Sequence, residues 1–85
     1  MNLKKERKKI DTIDRKIMLL LSKRIKTAKK LKKLKKQQSL KITSRAREKE
    51  VIENARLMAK HHDLEPKFAE ELFRKIIKYT REKQK

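Results

Sequence analysis

At 85 residues and 10.3 kDa, the chain has room for one small hydrophobic core, because two would each fall below the size at which burial offsets chain entropy; a single domain over residues 1–85 is expected. Twenty-nine Lys and Arg against 11 Asp and Glu give a formal charge of +18, with 47% of residues charged, which points to anionic partners. The lack of Cys excludes disulfides and thiolate metal sites, His61 and His62 alone are too few for zinc, and the longest apolar run, Ile17 to Leu21, is too short for a bilayer.

No secretory pattern of apolar stretch and cleavage site opens the chain, so a cytoplasmic protein is expected. With no Gly, one Pro and a wealth of Lys, Glu, Leu, Ile and Ala, tight β-turns are disfavoured and an all-α fold is expected. A mean hydropathy of −1.06 raises the alternative of disorder, and periodicity decides against it.

Ile10, Ile13, Ile17, Leu20, Leu21, Ile25, Ala28, Leu31 and Leu34 follow spacings of three and four, which keep one stripe along a helix predicted from about residue 3 to 38. At 1.5 Å per residue it would be roughly 50 Å long, more than a compact monomer of this size can cover, so it needs partner helices. The polar stretch from Gln37 to Lys41 breaks the pattern, and Thr43 or Ser44 can cap a second helix, about 44–61, with the stripe Val51, Ile52, Ala55, Met58 and Ala59. The run from His61 to Pro66 is the next break, with Asp63 or Glu65 as cap and Pro66 in a first turn. A third helix, about 65–82, carries Phe68 or Ala69, Leu72, Phe73, Ile76 and Ile77. Charge is uneven: residues 1–44 hold 17 basic and 3 acidic side chains, residues 45–85 hold 12 and 8.

Polar residues standing on these stripes are the informative ones, because ordinary amphipathic helices keep charge on the solvent face. Arg24 lies seven residues after Ile17 and four before Ala28, and Lys35, eleven residues further, returns to within about 20° of the same direction. Ser44 and Glu48 precede Val51, Ile52 and Ala55 at the same spacing, with Arg47 alongside, and Thr80 and Gln84 extend the line of Phe73, Ile76 and Ile77. A buried cation without a partner costs several kcal/mol, so such charges must meet carboxylates from the protein or a ligand. Glu48 is the one acid on the stripes, and the excess of Arg24, Lys35 and Arg47 suits a small dianion. The competing reading is that long basic side chains snorkel from a stripe edge.

The motif Arg7-Lys8-Lys9-Ile10-Asp11-Thr12-Ile13-Asp14, the apolar run ending in Arg24, then Lys35, Arg47-Glu48, Ile76-Ile77, Thr80 and Gln84 together resemble the all-α, AroQ-class chorismate mutases over nearly the whole chain. The resemblance implies an intertwined homodimer, three helices per chain forming a six-helix bundle, and a substrate, chorismate, rearranged to prephenate with no cofactor and no covalent intermediate. By position, Arg24 and Arg7 of the partner subunit are implied as carboxylate clamps, for which planar guanidinium forks are suited. Lys35 would contact a side-chain carboxylate and the ether oxygen, and Gln84 would donate to that same oxygen. Glu48 would accept from the ring hydroxyl, Ser44 would lie near it through its backbone, Arg47 would support Glu48, and Thr80 would bind the ring carboxylate. Ser44 stands where the family usually has Asp and Thr80 where it usually has Ser; both keep an oxygen.

Two other functions fit parts of the sequence. The charge and the run Lys29 to Lys36 (KKLKKLKK) would attract nucleic acid, yet aromatics number three, Phe68, Phe73 and Tyr79, too few for a base-stacking platform, so specific nucleic-acid binding is not expected. An isochorismate pyruvate-lyase shares the scaffold and much of the polar set.

Overall fold

A computed structural model describes residues 2–39 and 44–83, and its elements are three helices: α1 (Leu3–Gln37), α2 (Arg45–His61) and α3 (Pro66–Lys83). No strand occurs among the described residues, as an all-α chain requires. The chain divides into two compact units, Met1–Leu31 and Lys32–Lys85.

The first unit is most of α1. Asn2 starts it, its side-chain oxygen accepting from the Lys5 amide at 3.1 Å and its carbonyl from the Glu6 amide at 3.2 Å, so one of the orphan donors of the first turn is satisfied by a cap residue suited to the task. Glu6 in the first turn and Lys35 and Lys36 in the last have the signs the helix dipole favours. No residue of α1 is buried. Ile17 and Leu20, at the centre of the stripe, are 50% and 62% exposed, for a lone helix has nothing within its own unit to pack on.

The second unit is built on a hairpin of α2 and α3. Ser44 in extended conformation caps α2, its hydroxyl accepting from the Arg47 amide at 3.2 Å; Thr43, the other candidate, lies outside the described residues. At the far end Asp63 takes a positive φ of 58°, and Leu64 donates to the Ala59 carbonyl at 2.8 Å, the bond of a Schellman closure made in a chain with no glycine to offer. Asp63 thus ends α2 instead of capping α3, which begins directly at Pro66, where a missing N–H costs nothing.

The seam between α2 and α3 is alanine-rich. Ala55 and Ala59 are 1% and 2% exposed, Ala69 is buried against them, and Phe73 packs on the cluster. Small side chains let the helix backbones approach, and Ile52 completes the buried set. Ala69, not Phe68, is the buried residue of that pair, and Met58 and Leu72 stay exposed although the pattern places them on stripes. Two helices in contact bury only the line where they touch, narrower than the apolar arc each carries. Glu70 bridges the seam, accepting from Arg56 on α2 at 2.9 Å and from Arg74 on its own helix at 3.0 Å. The Arg74 bond first, then the Arg56 bond, hold its carboxyl below the ordinary value of 4.5, against a smaller opposing effect of desolvation.

Candidate active site

In the first unit, Arg7 is exposed and Arg24 half-buried. Lys35, on the part of α1 belonging to the second unit, is also half-buried. Its neighbours Lys33 and Lys36 are exposed, so Lys35 is the lysine of this trio that turns away from solvent, as its place on the stripe predicts.

The rest of the described site residues lie on α2 and α3. Glu48, in the first turn of α2, is half-buried, and its carboxylate is ion-paired with the guanidinium of Arg81 on α3, thirty-three residues away in sequence. Arg47, next to Glu48 in the chain, pairs instead with Glu50 one turn on, both side chains exposed. Adjacent residues on a helix point about 100° apart, so Arg47 and Glu48 cannot share a face. Ser44 is half-buried, with its hydroxyl engaged as the cap.

Thr80 is 8% exposed, and its hydroxyl donates to the Ile76 carbonyl at 2.7 Å. That back-bond satisfies a buried hydroxyl within its own helix. A hydroxyl has a single proton, so Thr80 must release Ile76 to donate to anything else; meanwhile its lone pairs can accept. Gln84 lies outside the described residues.

Around the Glu48–Arg81 pair, α2 and α3 enclose an open groove of about 610 Å³. Arg45, Lys49, Arg74, Lys78 and Arg81 supply positive charge along its walls, Glu48 and Glu53 negative charge, and Ile52 and Ile77 an aliphatic surface. Such a lining suits an anion that also carries an apolar ring, since the cations attract the charge and the isoleucines shed water from a ring face.

Arg81 escaped the sequence reading, although the signal was present. It lies four residues after Ile77 and eight after Phe73, a helical spacing of the same kind as that of Arg24 on α1. Its neighbour Thr80 shares the line from Ile76 and drew the attention. Two adjacent residues can flank one apolar stripe, one on each edge.

Comparison with known proteins identifies the family. A family model described as chorismate mutase type II matches residues 6–85. A curated relative, the chorismate mutase of Methanocaldococcus jannaschii, is 33% identical over 79 residues, covering 93% of this chain and 80% of the relative. No solved structure matches the chain. With a family match that runs from the first turn of α1 through the last residue, and an all-helical architecture to go with it, the chain belongs to the type II chorismate mutase family.

Proposed function

We propose that this chain is a chorismate mutase that converts chorismate to prephenate in the cytoplasm, as a step of phenylalanine and tyrosine biosynthesis. The observation that carries the reading is the family match over residues 6–85. The groove beside Glu48 adds support, because its excess of cations over carboxylates and its isoleucine surface fit a ring-bearing dianion.

The reaction is an intramolecular rearrangement in which a C–O bond breaks as a C–C bond forms, so no cofactor or nucleophile is required. The protein has two tasks. It must hold the enolpyruvyl arm folded over the ring, an entropic contribution, and it must set donors where charge gathers on the ether oxygen. Arg24 and Arg7 of the partner subunit clamp the carboxylates, Lys35 and Gln84 donate to the ether oxygen, and Thr80 turns its hydroxyl from Ile76 to the ring carboxylate. Glu48 accepts from the ring hydroxyl, with Ser44 beside it through the backbone. Arg47 adds positive charge for the ligand without holding Glu48, since its own partner is Glu50.

The working form in this proposal is a homodimer. Ile10, Ile13, Ile17 and Leu20 are each at least half exposed, and a second copy presents the same face to cover them, as a twofold interface demands. The hairpin needs the help too. Three alanines and one isoleucine are its buried apolar residues among those described, about 1.5–3 kcal/mol for the isoleucine and near 0.8 kcal/mol for each methyl, against an ordering cost of about 1–2 kcal/mol for every residue.

The test is incubation of the purified protein with chorismate and, separately, with isochorismate, the products being identified by mass and NMR. Prephenate from chorismate is expected. Unchanged chorismate overturns the reading, and release of pyruvate from isochorismate alone replaces it with the lyase.

A further inference from the structure

We propose that Arg81 is a positioning residue of the substrate groove, holding the Glu48 carboxylate in the orientation in which it receives the substrate's ring hydroxyl. The inference rests on the mutase reading above and deepens it.

Glu48 stands in the first turn of α2 on a flexible side chain, and its sequence neighbour Arg47 is engaged by Glu50. The group that meets it comes from α3: Arg81 Nη2 bonds Glu48 Oε1. Both side chains line the same groove, beside Ile52 and Ile77. The pair engages one carboxylate oxygen and leaves Oε2 to accept a proton donor from the groove. A planar guanidinium constrains the direction of its partner in a way an ammonium does not, so Arg81 selects one rotamer of Glu48 out of several. Arg45 and Lys49 from α2, and Arg74 and Lys78 from α3, share the groove, but among the described residues it is Arg81 that pairs with Glu48. Arg81 is itself half exposed, and the seam of Ala55, Ala59 and Ala69 does not include it. Its ion pair is therefore dispensable for packing, and its worth lies in where it puts the carboxylate.

The experiment is a double-mutant cycle on kcat and KM with the full dimeric chain, using Arg81→Gln, Glu48→Gln and both together, with Arg81→Lys as a second variant. Arg81→Gln is expected to lower kcat/KM roughly tenfold, and to lower it less than twofold when Glu48 is already Gln. Arg81→Lys keeps the charge but not the planar fork and recovers only part of the loss. A chorismate analogue lacking the ring hydroxyl supplies the readout that a structural role would not move: with it, wild type and Arg81→Gln should react at equal rates. Additive losses in the cycle, a wild-type rate for Arg81→Gln, or an undiminished effect with the analogue each overturn the inference. Should Arg81→Gln fail to fold, Arg81→Lys decides by the same comparison with the analogue. Wild type inert toward chorismate overturns the underlying reading instead, so the two failures are distinguishable.

Discussion

The unit formed by the first thirty-one residues and the hairpin that follows solve burial in opposite ways. The first carries large apolar side chains, Ile, Leu and Met, and buries none of them among the described residues; the second buries mostly alanine and does so nearly completely. Large side chains on a lone helix create a demand for a partner, whereas small ones on paired helices satisfy each other at close range. Charge follows the same division. From Arg15 to Arg47 there is no carboxylate at all, while Glu48, Glu50, Glu53 and Glu70 punctuate the hairpin. The long helix therefore offers cations and an open apolar face, and the hairpin offers carboxylates whose partners are settled: Arg56 and Arg74 for Glu70, Arg81 for Glu48.

The contrast breaks most severely if the face of α1 needs no cover. Ile17→Asp combined with Leu20→Asp removes two apolar side chains from each copy, at about 1.5–3 kcal/mol apiece if fully covered. The dimer dissociation constant should rise by roughly four orders of magnitude or more. Sedimentation of the wild type should show a dimer, and a stable folded monomer would remove the reason for assigning α1 a partner.

Next in size are the cations that α1 brings. Lys35→Ala and Arg24→Ala should each lower kcat/KM by on the order of 10² or more while circular dichroism stays helical, as expected of preorganised charges acting on a developing anion. An unchanged rate for Lys35→Ala would transfer the role to Lys33 or Lys36.

The hairpin is probed by volume. Ala55→Leu forces three carbon atoms into a seam with no room and should destabilise by about 1–3 kcal/mol in denaturant unfolding. The same change at Ala46, on the exposed side of α2, should be nearly neutral. Equal effects at the two positions would mean that the seam is not closely packed.

The smallest effect is a pH dependence. Glu70 has its carboxyl lowered by Arg74 and Arg56 in the folded chain, so its contribution is present above the ordinary value of 4.5 and is lost as pH falls below it toward the depressed native value. Melting temperatures measured from neutral pH downward should fall more for wild type than for Glu70→Gln across that window. Parallel curves would show that the bridge contributes nothing to stability, as is common for exposed pairs.

Much of this was legible along the chain. The three helices fall within a residue or so of where periodicity and caps put them, because Ser44 and Pro66 act through bonds and torsions that span at most one turn. Lys35 differs in burial from Lys33 and Lys36 as the angle along the helix predicts, while which of the three serves the reaction depends on the register. Other points were out of reach. Asp63, by sequence one of two candidate caps for α3, ends α2 instead, through a positive φ that arises only once the chain turns. Met58 and Leu72 belong to apolar stripes by spacing, yet how wide a strip is buried depends on how many helices press on it.

What the sequence by itself determined, then, is the set of helices, the lopsided charge and the residues that break the apolar stripes, all consequences of local geometry repeated every 3.6 residues. The tertiary structure decided the partnerships. Glu48 meets Arg81 and not Arg47, and alanines, not the larger apolar residues, form the seam, because contacts between residues far apart in the chain depend on the rotation and offset of α2 against α3, which no periodicity within either helix contains.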